Sequence, residues 1–164
     1  MNATSLDNQD VHKASINSAE EKLDDPALTE YAPIAQEIIK TRENMGRLDE
    51  PDLCGRVRGC CGDSIQIELR LEGDVIQDAC FQTDGCLATI ACGGMITRMI
   101  LGKTLTQALK LEPDALRKAL GGLPSGHQHC ANLVVNTLRT VILKGTSEDT
   151  LEDLIGPFTQ EKNP

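Results

Sequence analysis

Strict alternation marks the most regular stretch of the chain. Ser64-Ile65-Gln66-Ile67-Glu68-Leu69-Arg70-Leu71 puts every second side chain on an apolar face, which predicts an antiparallel strand with one buried side. Glu72-Gly73-Asp74 reads as a turn, and Val75 to Gln82 predicts the returning strand, with Val75, Ala79 and Phe81 sharing a face. From Cys86 to Leu101 the period changes. Leu87, Ile90, Ala91, Met95 and Met99 recur at three- and four-residue steps, predicting a helix that Gly102 stops. Gly93-Gly94 inside it either weakens the helix or marks a close helix contact.

The flanks follow the same logic. A helix is predicted from Pro33 to Asn44, with Ile34, Ile38 and Ile39 as its stripe and Gly46 as its stop. Residues 46–60 read as a loop. Thr104 to Leu109 and Pro113 to Leu120 predict short helices, followed by a glycine-rich loop, Gly121 to Gly126. A long helix is predicted from Gln128 to Leu143, with Cys130, Val134, Thr137, Leu138 and Val141 on one stripe, and a short one from Ser147 to Ile155. Residues 1–26 are polar, acidic and aperiodic and read as a disordered or loosely docked tail; 27–156 read as one domain and 157–164 as a polar tail. One Tyr, two Phe and no Trp leave core volume to aliphatic side chains, which favours an α+β fold with helices covering a small antiparallel sheet.

A formal charge of -9 argues against nucleic acid as a partner, because phosphate binding needs a basic footprint. No stretch has the length of a membrane span, and the acidic N-terminus has neither a signal core nor a transit pattern. The expectation is a cytoplasmic protein whose seven cysteines are thiols rather than disulfides.

Six cysteines lie between Cys54 and Cys92, and none of the marked ones forms a CxxC pair. Three have distinctive settings: Cys61-Gly62-Asp63 on a loop before the first hairpin strand, Cys86 at a helix start, and His129-Cys130 in the first turn of another helix. Helix starts present free N–H groups and partial positive charge, which favours thiolate at Cys86 and Cys130. Three thiolates with Asp63 or His129 as a fourth ligand suit zinc, iron or an iron–sulfur cluster. A hard carboxylate on a mobile loop suits a cluster that is released rather than kept. For Asp63 the bland reading is a turn residue, and for His129 a proton shuttle or thiolate partner.

Cys61-Gly62-Asp63, the run Asp78-Ala79-Cys80-Phe81-Gln82-Thr83-Asp84-Gly85-Cys86, and His129-Cys130 together resemble the iron–sulfur cluster assembly scaffold family, of the IscU and NifU N-terminal type. The resemblance extends from about Asn44-Met45-Gly46 through the last long helix. It implies a sheet of about three strands under helices. It also implies a scaffold for de novo cluster assembly that turns over no small-molecule substrate and is therefore not an enzyme. By resemblance Cys61, Asp63, Cys86, His129 and Cys130 form the metal and cluster site, and Cys130 accepts persulfide sulfur from a cysteine desulfurase. Ferrous iron, an external electron donor and acceptor apoproteins complete the scheme. The product is a [2Fe–2S] cluster, with [4Fe–4S] left open, as is a homodimer. Zinc suits the same residues, and the alternative is a zinc-bound sulfur acceptor of the SufU type. The short segment between Cys86 and Cys130 and the presence of His129 favour the assembly branch.

There are departures. Cys60 stands where the family has an apolar residue or proline, and reads as a substitute ligand at most. The family's Leu-Pro-Pro-Val-Lys chaperone loop is replaced by Leu123-Pro124-Ser125-Gly126-His127, which counts against a dedicated Hsp70 chaperone. His127 reads as an exposed loop histidine ahead of a spare ligand. Cys54, Cys80 and Cys92 read as packing or incidental.

Overall fold

A computed structural model describes residues 25–146. The tail expected over 1–26 lies outside them except for Asp25 and Pro26, and so do the expected helix at 147–155 and the C-terminal tail. Three strands, β1 (Leu53–Arg58), β2 (Ser64–Glu72) and β3 (Val75–Thr83), form an antiparallel sheet in the order β1-β2-β3. A short 3-10 turn (Pro26–Glu30) and α1 (Pro33–Thr41) precede it; α2 (Leu87–Ile100), α3 (Leu105–Leu109), α4 (Pro113–Ala119) and α5 (His129–Gly145) follow. The fold is α+β, as the pattern predicts. Among the described residues no helix is long and apolar enough to cross a membrane.

The hairpin pairs Ile65 with Thr83, Ile67 with Phe81 and Leu69 with Ala79, so the alternating apolar side chains meet on one face. A register shift after Arg70 leaves Gln77 without a partner. The bulge corrects the expected face: Ile76 is fully buried, whereas Val75 is only half-buried.

Residues 46–60 are not all loop. Leu53–Arg58 pairs with β2, Leu53 opposite Leu69 and Arg58 opposite Ser64. The strand is hard to see in sequence because Gly55 occupies one of its three inward positions. That glycine is required: a Cβ there would stand 2.9 Å from Val141 Cγ2, so β1 lies directly against α5. α1 also ends earlier than expected. Arg42 takes a left-handed conformation (φ 49°), and the chain then runs beside β3, with Phe81 N donating to Asn44 O (3.0 Å) and Gly46 N to Phe81 O (2.8 Å).

α2 departs most from its expected one-sided stripe. Ala88 through Thr97 are all buried, so this helix is the centre of the molecule. Its two glycines mark close contact. A Cβ on Gly93 would fall 2.5 Å from Phe81, and one on Gly94 2.3 Å from Ile38 Cγ2. α5 buries its predicted stripe, Cys130, Val134, Thr137, Leu138 and Val141. On the sheet's far face Glu68 is only 1% exposed, yet its carboxylate accepts from Leu48 N (2.8 Å), Gln66 Nε2 (2.8 Å) and Arg47 Nε (3.3 Å). Pairing of this kind is what makes a buried charge tolerable.

Candidate metal centre

The turn from β3 into α2 is tied to the start of β2. Thr83 Oγ1 donates to Ser64 O (2.6 Å) and accepts from Gly85 N (3.0 Å), while the Asp84 carboxylate accepts from Ser64 N (2.7 Å). Cys86 is thereby held as the N-cap of α2, and the residue just before β2, Asp63, is brought to the same place. Asp63 Oδ2 accepts from Cys86 N (3.3 Å) and from Thr89 Oγ1 (3.1 Å). Asp63 thus caps the helix from another segment, satisfying one of its free N–H groups. Gly85 makes the approach possible, since a Cβ there would lie 2.8 Å from Asp63 Oδ2.

The second helix start arrives through the 121–128 loop. Gln128 Nε2 donates to Leu123 O (2.7 Å), and Arg117 donates to Gln128 O (3.3 and 3.2 Å) and to Asn132 Oδ1 (2.7 Å), pinning the loop to the first turn of α5. Within that turn Cys130 N donates to His127 O (3.1 Å). Cys130 is fully buried and its sulfur lies 3.8 Å from that of Cys86. Around Cys86 Sγ stand His127 Nδ1 and Thr89 Oγ1, each at 3.6 Å.

The two sulfurs share a proton unequally. The Cys130 thiol donating to it, followed by the N–H and hydroxyl of Thr89 and the N–H of Ala88, brings Cys86 down to about 4. Cys130 is pushed upward, first by that same bond to Cys86 and then by burial. Cys86 is thus drawn toward thiolate by the proton that Cys130 keeps and donates to it.

Among the described residues, the Cys, His and acidic donors that converge within 4.8 Å of one another are Cys86, His127 and Cys130. Two of these were expected. His127, read from the sequence as an exposed loop histidine ahead of a spare ligand, is the third. It is half-buried and faces Cys86, while the favoured His129 is exposed with Nε2 3.8 Å from Cys130 Sγ. His127 precedes α5, and the turn closed by Cys130 N and His127 O brings its ring to the side of Cys130. Cys61 lies exposed on the 59–63 turn, where Gly62 takes φ +92° and Gly59 N donates to Asp63 O (2.8 Å). It stands outside the converging set, as does Cys60, also exposed. Asp63 touches the set only through the Cys86 amide and Thr89.

Thr89 was not singled out in the sequence, nor was Tyr31. Tyr31 is buried, and its phenol is pushed up to about 12 by burial and then by the sulfurs of Cys86 and Cys130. The remaining thiols are set apart. Burial pushes Cys92 up to about 12 and Cys80 up to about 11, leaving both protonated and inert. Cys54 lies on β1 rather than in a loop, with its sulfur 3.9 Å from Glu68 Oε1.

Residues 30–149 match the family described as the NifU-like N terminal domain. Two Archaeoglobus fulgidus proteins, each named an iron–sulfur cluster assembly scaffold protein IscU, are 43% identical over 114 residues, covering 69% of this chain and 74% of theirs. The Plasmodium falciparum iron–sulfur cluster assembly protein IscU is 36% identical over 116 residues, covering 68% of this chain and 71% of its own. Among solved structures, a Fervidobacterium islandicum protein described as an iron–sulfur cluster assembly scaffold for the SUF system superposes with TM-score 0.56 over 70% of this chain and 97% of that one. At 17% identity that likeness speaks for the fold alone.

Proposed function

Because the chain belongs to the NifU-like N terminal domain family, we propose that it serves as a scaffold for iron–sulfur cluster assembly, as its IscU relatives are named. The observation that carries the reading is the pair of sulfurs, Cys86 and Cys130, set 3.8 Å apart at the starts of two helices. Soft sulfur donors of this kind suit iron, zinc and iron–sulfur clusters.

In this reading ferrous iron binds at the converging sulfurs. Sulfur then arrives as a persulfide on a cysteine desulfurase. A Cys130 thiolate attacks the outer sulfur, the desulfurase cysteine leaves as thiolate, and Cys130 becomes the persulfide. Binding of iron at the sulfur pair releases the Cys130 proton to solvent and leaves the thiolate that attacks. Each transferred sulfur needs two electrons to become sulfide; oxidation of ferrous iron supplies part, and an external electron donor the rest. The product, a [2Fe–2S] cluster, is held by Cys61, Cys86 and Cys130 with Asp63 or His129 as the fourth ligand, and passes to acceptor apoproteins. Cys61 joins by movement of its exposed turn. The cluster is cargo, so the protein turns over no substrate of its own and is not an enzyme.

Anaerobic incubation with iron, cysteine and a cysteine desulfurase tests the reading. Visible sulfide-to-iron absorption develops if it holds. A colourless protein that gains only zinc-dependent persulfide transfer would replace it with the sulfur-acceptor alternative.

A further inference from the structure

The cysteine ahead of β2 is doubled. Cys60 and Cys61 are adjacent, and only the second has a place in the scheme proposed above. Gly62 N donates to Gly59 O (3.1 Å), closing a turn whose central residues are these two cysteines. Beneath it Gly59 N donates to Asp63 O (2.8 Å), so the pair stands at the tip of the β1–β2 connection. Both side chains are exposed, and the glycines on either side place no side chain over the sulfurs.

The other thiols are set differently. Cys80, Cys92 and Cys130 are buried. Cys86 and Cys130 are also close (3.8 Å), but the Cys130 half of that pair is fully buried and closed to a dissolved oxidant. Cys54 is exposed, yet its sulfur stands beside the Glu68 carboxylate (3.9 Å) rather than beside a second thiol. An accessible thiol next to a resolving thiol is the arrangement in which a first oxidation is captured as a disulfide before it proceeds to irreversible acids. Neighbouring α-carbons lie about 3.8 Å apart across a trans peptide, short of the roughly 4.4–6.8 Å that ordinary disulfides span. A bond between Cys60 and Cys61 is therefore strained, and strain together with exposure makes it easy to reduce.

We propose that Cys60 and Cys61 form a reversible oxidation site for small peroxides, closing into a vicinal disulfide that withdraws Cys61 from the cluster ligands. One thiol attacks a peroxide oxygen and becomes a sulfenic acid, with loss of water; the other attacks that sulfur and expels a second water. The two thiols give up their hydrogens and a pair of electrons, and hydrogen peroxide is reduced to water. A dithiol reverses the step by exchange and leaves as its own disulfide. The oxidation site stands on the turn alone. Its consequence, a scaffold that stays unloaded while peroxide persists, rests on the scaffold reading, in which Cys61 holds the cluster.

The metal-free full chain, treated with an equimolar amount of hydrogen peroxide, alkylated and digested with trypsin, tests the site. Cleavage after Arg58 and Arg70 releases residues 59–70, in which Cys60 and Cys61 are the only cysteines. That peptide is expected unalkylated and lighter by a pair of hydrogens, and dithiothreitol restores both alkylatable thiols. Cys60→Ser and Cys61→Ser give no such species, with circular dichroism unchanged. A fully alkylated peptide while Cys86 or Cys130 is oxidised overturns the assignment, and so does its conversion to sulfinic or sulfonic acid without a disulfide. The closed chain, freed of peroxide, is then given iron, cysteine and a desulfurase. Its visible absorption develops only after a lag, which prior dithiothreitol removes and which Cys60→Ser treated alike does not show. No lag in a chain shown by mass to be closed overturns the consequence for loading. A ring that closes while no chain forms a cluster overturns the scaffold reading and leaves the oxidation site standing; clusters from a chain whose thiols never pair do the reverse.

Discussion

Asp63 Oδ2 accepts the backbone N–H of Cys86 at 3.3 Å, so the carboxylate caps the helix that Cys86 begins. In the proposed reading Asp63 is the exchangeable oxygen ligand, its Oδ2 engaged by that amide and by the Thr89 hydroxyl when no cluster is bound. Asp63→Ala is expected to slow cluster transfer from the loaded scaffold to an acceptor apoprotein several-fold, because the exchangeable oxygen is gone. Transfer followed by the acceptor's own absorption at equal or greater rate would refute the role.

Cys130 sits fully buried against Cys86, and serine is nearly its size. Cys130→Ser is expected to abolish protein-bound persulfide after incubation with a desulfurase and cysteine, as read by mass spectrometry, with circular dichroism unchanged. Persulfide found mainly on Cys61 would reassign the acceptor.

The low Cys86 value, about 4 against an ordinary 9, has a stability consequence. Between those values the folded chain holds Cys86 as thiolate while the unfolded chain keeps it protonated. The unfolded state therefore binds more protons, and stability rises with pH across that window and is lost as pH falls through about 4. Above the ordinary value Cys130, shifted upward, acts in the opposite sense. In the metal-free protein the difference in denaturation midpoint between the unmodified chain and Cys86→Ser should widen from about pH 5 to about pH 8. A flat difference would refute the assignment.

Gly93 admits the Phe81 ring, and a methyl group there would stand 2.5 Å from it. Gly93→Ala is expected to destabilise the fold by about 1–3 kcal/mol in denaturant unfolding. Adding Phe81→Leu should recover part of that loss, because the two changes share one contact. Additive losses would place the strain elsewhere.

The hairpin was legible because Ser64 to Leu71 has one buried face and no exceptions, and period-2 burial leaves no other assignment. β1 was not, because Gly55 erases an inward side chain and what fills its place is Val141, far away in sequence. α2 was found as a helix, but its burial on all sides depends on Phe81 and Ile38 entering over Gly93 and Gly94. At the site, Cys86 and Cys130 could be located from helix starts alone. The choice between His127 and His129 could not, since it depends on how the 121–128 loop enters α5. Asp63 was read as a ligand from its chemistry, and only the fold brings the Cys86 amide to it.

The enclosure of α2 between Phe81 and Ile38 fixes where this protein is free to vary. Substitutions under Cys86 disturb the whole core, so that half of the site is conservative by mechanics. Cys130 is likewise buried at the start of α5, whereas Cys61 and His127 stand on short segments, the 59–63 turn and the 121–128 loop, outside that core. Variation that leaves α2 undisturbed is therefore confined to those two segments, and His127 lies near the end of one of them.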